Sequence, residues 1–193
     1  MLSKFDYAKP LVLGEALNVL SKNEGDTYIL AGGTDLLIAL RHNLIDAKHI
    51  IDIKSIPELD VFEFVEGKGL EIGANVVCNT LIESEIVKEK YTALHDAAAV
   101  LATYPLRNRA TLVGNICKGS PGADLPPSLL IYDAAVKIAS AEGERTVPLK
   151  DFFTGVKKTQ LAANELVISV LLPDPGSAED RSCYHRQTRL KGH

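Results

Sequence analysis

Ile29-Leu30-Ala31-Gly32-Gly33-Thr34-Asp35-Leu36-Leu37-Ile38 carries an apolar run into a glycine pair and then resumes apolar spacing at helical period. That order predicts a strand, a tight turn and a helix with Thr34 or Asp35 at its N-cap. Glycines let the main chain take positive φ and come close to a ligand, and the first free N–H groups of the helix point at the same spot, so the corner suits an anion. No Gly-Lys-Ser/Thr follows, which excludes a P-loop, and the third glycine of G-x-G-x-x-G is missing, which excludes the dinucleotide fingerprint. Alone, the corner reads either as a phosphate site or, more commonly, as a plain α/β connection.

Leu13, Ala16, Leu17 and Leu20 recur at helical spacing before a strand at Tyr28 to Leu30. The helix after the glycines continues through Leu36, Leu37 and Leu40, and an apolar strand, His49 to Ile53, completes a β-α-β unit. Beyond Ile56-Pro57, Val61 to Val65 and Leu70 to Ile72 flank Glu66-Gly67-Lys68-Gly69, a hairpin signal. Helical stretches at Leu81 to Lys90 and Ala93 to Ala102 follow. A second hairpin turns at Glu142-Gly143, between Ala134 to Ser140 and Arg145 to Val147, and a strand Leu166 to Leu172 closes on Pro173-Asp174-Pro175-Gly176. The expected class is α+β: a small β-α-β lobe to about residue 56 and a larger mixed lobe with an antiparallel sheet to about residue 175. A ligand in the cleft between lobes suits common pocket placement.

A second glycine-bearing segment runs Arg109-Ala110-Thr111-Leu112-Val113-Gly114-Asn115-Ile116-Cys117-Lys118-Gly119-Ser120-Pro121-Gly122-Ala123-Asp124-Leu125-Pro126-Pro127. With little hydrophobic periodicity it reads as a long loop whose backbone groups need partners, either within an ordered Ω-type surface loop or on a ligand. Two such loops, remote in sequence, can hold one extended ligand.

With both segments in view, the chain resembles the FAD-binding medium subunits of the molybdenum hydroxylase family, which includes xanthine dehydrogenase and aerobic carbon monoxide dehydrogenase. In that family an A-G-G-x-x-L loop and a later A-T-x-G-G-N...S-P-x-x-D...P-P segment hold the flavin. Ala31 to Leu36 carries the first motif; Ala110 to Asn115, continuing through Ser120, Pro121, Asp124 and Pro127 to Leu129, Leu130 and Asp133, carries the second. The likeness runs from Phe5-x-Tyr7-x-x-Pro10 to Tyr184-x-Arg186-x-x-Arg189-x-Lys191. Val113 stands where the family often has the first Gly of G-G-N, leaving Gly114 as the free backbone hinge of that turn.

The resemblance implies a PCMH-type FAD-binding domain over residues 1–175, with residues 176–193 a linker towards a C-terminal domain outside this chain. It implies non-covalent FAD, with Ala31, Gly32, Gly33, Thr34, Asp35, Leu36, Thr111, Gly114, Asn115, Ser120, Asp124 and Lys191 as the binding residues. Backbone donors of the first loop would face the pyrophosphate, with the Asp35 carboxylate turned away. Thr111 and Asn115 would hydrogen-bond the cofactor, Asp124 would accept from a ribose or ring donor or else cap a turn, and Lys191 or Arg189 would supply a cation. Partner subunits would carry the [2Fe-2S] clusters and the molybdenum cofactor. The basic stretch from Arg181 to His193 reads either as a solvated tail or, by resemblance, as an ordered approach to the flavin. A non-catalytic nucleotide-binding module and a stand-alone flavin oxidoreductase are the other readings of two glycine loops.

Composition agrees with a cytoplasmic electron-transfer part. A net charge of −4 over 193 residues disfavours a nucleic-acid surface. No apolar run approaches the roughly 20 residues of a membrane span. Cys78, Cys117 and Cys183 are too scattered for an iron–sulfur ligand set and read as plain reduced thiols. His42 and His49 lack zinc spacing, and Asp96 is expected to point away from His95 on a helix. No Ser-His-Asp set or carboxylate pair is evident, as suits a protein whose chemistry belongs to a bound cofactor.

Overall fold

The β-α-β unit at the glycine corner is the start of a three-stranded parallel sheet. In the computed structural model, which describes residues 4–23, 25–176 and 182–187, β1 (Asp6–Ala8), α1 (Leu13–Lys22), β2 (Thr27–Leu30), α2 (Leu36–Arg41) and β3 (His49–Asp52) form this lobe. The strand order is β1-β3-β2, with Ile50 opposite both Tyr7 and Tyr28. Side chains of a strand alternate between faces. Ile50 accordingly enters a small cluster with Leu40 and Ala47, backed by Phe5, Tyr28, Leu30, Leu36 and Ile45, while Ile51 joins the main core with Ala16, Leu17 and Leu20 of α1. The small lobe therefore shares one face of its sheet with the rest of the molecule.

β4 (Phe62–Val65) and β5 (Gly69–Gly73) make the first expected hairpin. A helical layer follows: α3 (Cys78–Glu83), α4 (Glu85–Lys90), α5 (Thr92–Val100), α6 (Tyr104–Arg107), α7 (Leu112–Cys117) and α8 (Leu125–Leu130). Then come β6 (Ala135–Ser140), β7 (Gly143–Pro148), α9 (Leu149–Phe152), the small hairpin β8 (Phe153–Gly155) and β9 (Lys158–Thr159), and β10 (Leu166–Pro173). The larger sheet is antiparallel throughout, in the order β4-β5-β10-β6-β7. β10, last in sequence, is its central strand, and its mostly apolar run, interrupted by Ser169, is largely buried because both faces are covered.

Several local expectations are corrected. The stretch Leu81 to Lys90 is two helices, α3 and α4, separated at Ser84, whose side chain accepts from Val87 N and caps α4. The second glycine segment is less irregular than its composition suggests: it holds α7 and the start of α8, because Thr111 Oγ1 accepts from Gly114 N at 3.0 Å and Leu112, Val113 and Ile116 are buried. Gly114 is thus a residue of α7 and not a hinge. Asp35 is the N-cap of α2 but neither it nor Thr34 makes a side-chain capping bond. The ring Nδ1 of His95 lies 3.4 Å from Asp96 Oδ1, so the two side chains meet. β1, only three residues long, carried too little alternation to be read beforehand.

Candidate cofactor-binding site

Gly32 marks the point where the two glycine segments touch. A Cβ on it would lie 1.9 Å from the Arg109 carbonyl oxygen and 3.2 Å from Ala110 Cα, so only glycine permits this approach. Gly33 has φ +75°, which turns the chain from β2 into α2. The second segment is fixed from behind by Cys78 N donating to Ala110 O at 2.8 Å and by a bridge between Val77 and Thr111. The Arg107 guanidinium, donating to Asn79 Oδ1 at 3.1 Å and to Leu101 O at 2.7 Å, holds the approach to it.

Between the segments opens a cleft of about 540 Å³. Its walls come from Tyr28, Ile29 and Ala31 to Leu36 on one side and from Ala110, Thr111, Val113 to Asn115, Cys117 and Lys118 on the other, and Lys157, Leu161 and Leu166 from around β9 and β10 add a third. Of the residues expected at the site, Ala31, Gly32, Gly33, Thr34, Asp35, Leu36, Thr111, Gly114 and Asn115 all line it. Ser120 and Asp124 follow on the same segment but are not part of the wall. Asp124 Oδ1 accepts from Tyr184 Oη at 3.0 Å, and its Oδ2 lies 3.5 Å from Arg186 Nη1, which ties the described part of the C-terminal segment to α8. Lys191 and Arg189 lie outside the described residues.

Polar groups in the cleft are of two kinds. Among the described residues, the main-chain N–H groups of Gly33, Thr34 and Asp35 donate to no protein acceptor, and Asn115 Oδ1 is buried without a hydrogen-bond partner. A buried acceptor left unpaired costs about 1–3 kcal/mol, so it marks a place where a ligand donor belongs. Burial pushes the Cys117 thiol up to about 12, so it stays protonated and serves as a small apolar wall. Three of the charged residues at the site were not expected: Lys118, whose Nζ lies 3.4 Å from Asp35 Oδ1, Lys157, and Glu165, which Arg145 holds at 2.6 and 2.7 Å. Lys118 sits inside the quoted segment, where its charge was a usable signal. Lys157 carries no local signal; it arrives because its N–H donates to Gly119 O at 2.9 Å and seats the β8–β9 hairpin on the second segment.

The FAD binding domain in molybdopterin dehydrogenase matches residues 3–175. The chain belongs to that family. It is 38% identical over 172 residues to the xanthine dehydrogenase FAD-binding subunit of Escherichia coli O157:H7, covering 88% of this chain and 59% of the relative. The carbon monoxide dehydrogenase medium chain of Hydrogenophaga pseudoflava is 37% identical over 170 residues, with the same coverage. The chain thus spans about three fifths of the length of these curated relatives. Among solved structures, carbon monoxide dehydrogenase from Hydrogenophaga pseudoflava lacking the Mo-pyranopterin moiety superposes with a TM-score of 0.86 at 35% identity, covering 90% of this chain and 60% of that one. Quinoline 2-oxidoreductase from Pseudomonas putida 86 does so with 0.86 at 31% identity, covering 91% and 61%. The family assignment and the α+β architecture suggested by the two glycine segments are both borne out. Among the described residues no helix is long and apolar enough to cross a membrane, and no cluster of His, Cys, Asp or Glu is arranged for a metal ion.

Proposed function

We propose that this chain is the FAD-binding part of a molybdenum hydroxylase-type oxidoreductase, accepting electrons from the [2Fe-2S] clusters of a partner subunit and passing them through FAD to an acceptor, with the molybdenum cofactor on a further subunit. The observation that carries the reading is the backbone contact of Gly32 with Arg109, which makes one cleft of two sequence-remote loops and leaves the buried Asn115 Oδ1 facing a donor it does not have. The residues present suit FAD. Free N–H groups of residues 33–35 and the near cations Lys118 and Lys157 match a pyrophosphate, Asn115 matches a hydrogen-bond donor of the cofactor, and Tyr28, Ile29, Leu161 and Leu166 offer apolar wall to its rings.

Bound flavin supplies the redox chemistry, and the chain positions it and excludes water. Residues 1–175 are the binding unit in this reading, with Ser120, Asp124 and the segment from Tyr184 beyond the near wall. Free thiols at Cys78, Cys117 and Cys183 agree with a cytoplasmic setting.

The test is a spectrum and a reduction. The purified chain supplied with FAD is expected to turn yellow and to release FAD, not FMN, on denaturation. Its flavin should stay oxidised when the complex's substrate is added to the chain alone and should be reduced when the iron–sulfur and molybdenum subunits are co-purified with it. A folded chain that retains no flavin supports a non-catalytic module instead, and rapid substrate-driven reduction without partners supports a stand-alone flavoenzyme.

A further inference from the structure

The charges around the cleft are unequally employed. Glu165 is fully engaged by Arg145 and the Ala162 N–H, and Lys157 makes no ion pair among the described residues. Lys118 and Asp35 face each other from opposite glycine segments at 3.4 Å, with side chains 40% and 62% exposed. An ion pair so open to water contributes little stability, so it is easily exchanged for a better partner. Asp35 has no capping bond to hold it in place either.

We infer that Lys118 is a transferable counter-ion: its ammonium rests on Asp35 and passes to the cofactor's phosphate oxygens on binding, so that Asp35 acts as an internal competitor that sets how tightly the phosphates are held. This rests on the FAD reading and adds to it a residue pair whose two members act with opposite sign. An ordinary bracing pair loses function when either member is removed. A competitor and its counter-ion do not: removing Lys118 weakens binding, whereas neutralising Asp35 strengthens it.

The experiment is titration of FAD onto the purified chain, followed by flavin fluorescence, at about 0.02 M and about 0.5 M salt. Lys118→Met is expected to weaken FAD binding roughly tenfold at low salt and far less at high salt, Lys118→Arg to retain it, and Asp35→Asn to tighten it a few-fold. Melting temperatures of all three should stay close to that of the unaltered chain, since both side chains are largely exposed. Equal affinity of Lys118→Met and the unaltered chain at low salt overturns the proposal. So does Asp35→Asn weakening binding as much as Lys118→Met, which is the signature of a brace. An unaltered chain that binds no FAD at either salt overturns the cofactor reading and this inference with it.

Discussion

Neighbouring glycines in the first loop do different work, and substitution should separate them. Gly33 needs positive φ, which costs a residue with a Cβ about 1–2 kcal/mol, and its nearest obstacle is the end of the Leu30 side chain at 2.9 Å, which can move. A Cβ at position 32 would meet the Arg109 carbonyl oxygen at 1.9 Å, and that backbone cannot move without parting the two loops. Gly32→Ala is therefore expected to cost more stability than Gly33→Ala, about 3 kcal/mol or more against about 1–2, and to abolish FAD retention; denaturant melts with FAD titration check the order. Asn115 gives a test of opposite signs. Asn115→Leu removes a buried unpaired oxygen, so the flavin-free chain should be as stable as before or slightly more so. FAD affinity should fall by roughly 10- to 100-fold, the equivalent of about 1.4–2.7 kcal/mol. A flavin-free melt that drops, with FAD affinity unchanged, would show that Asn115 is purely structural.

Elements in the helical layer are short, and short helices do not hold together in isolation, so each depends on a cap or on packing. α7 has both: Thr111 caps it and Leu112, Val113 and Ile116 bury its inner face. Thr111→Val keeps the volume and removes the cap. It is expected to cost about 1 kcal/mol and to lower the melting temperature by about 2–4 °C in a chain of this size, while Thr111→Ser restores most of it. The same dependence explains why α6, α7 and α8 were not readable beforehand. Their apolar residues are too few to show a period, and Pro105 and Pro126 look like loop residues although each occupies the first turn of a helix, where its missing N–H costs nothing. α1 and β10 were readable because their apolar patterns are long enough to stand alone.

Acid should weaken the whole molecule through carboxylates that join its parts. The Arg145 guanidinium holds the Glu165 carboxyl below the ordinary range. The N–H groups of Gly67 and Gly176, with Lys90, do the same for Asp174 where β10 ends beside the β4–β5 hairpin. At Asp52 burial pushes the carboxyl up, but Lys54 and the Tyr7 hydroxyl outweigh it and leave it lowered, which ties β1 to β3. A folded-state value below the unfolded one stabilises the protein above the ordinary carboxylate pKa of about 4, and that stability disappears as pH falls through the lowered values. Melting temperature is expected to be level from about pH 7 to about 5 and to fall below about 4. Asp52→Asn should make that acid limb shallower; an identical limb in the variant would remove Asp52 from the account.

The β-α-β unit with its glycine corner and both expected hairpins were determined by the sequence itself, because turn chemistry and apolar period act over a few residues and can be read there. Recognition of a flavin-binding family followed from the two glycine segments. Only the tertiary structure decided that β10 enters the centre of the sheet between β5 and β6, that Gly32 rests on Arg109, and that Lys157 reaches the cleft wall. Each of these joins residues far apart along the chain. Such contacts depend on strand register and on how lobes share a core face, as Ile50 and Ile51 do on opposite sides of β3, and no local pattern encodes that choice.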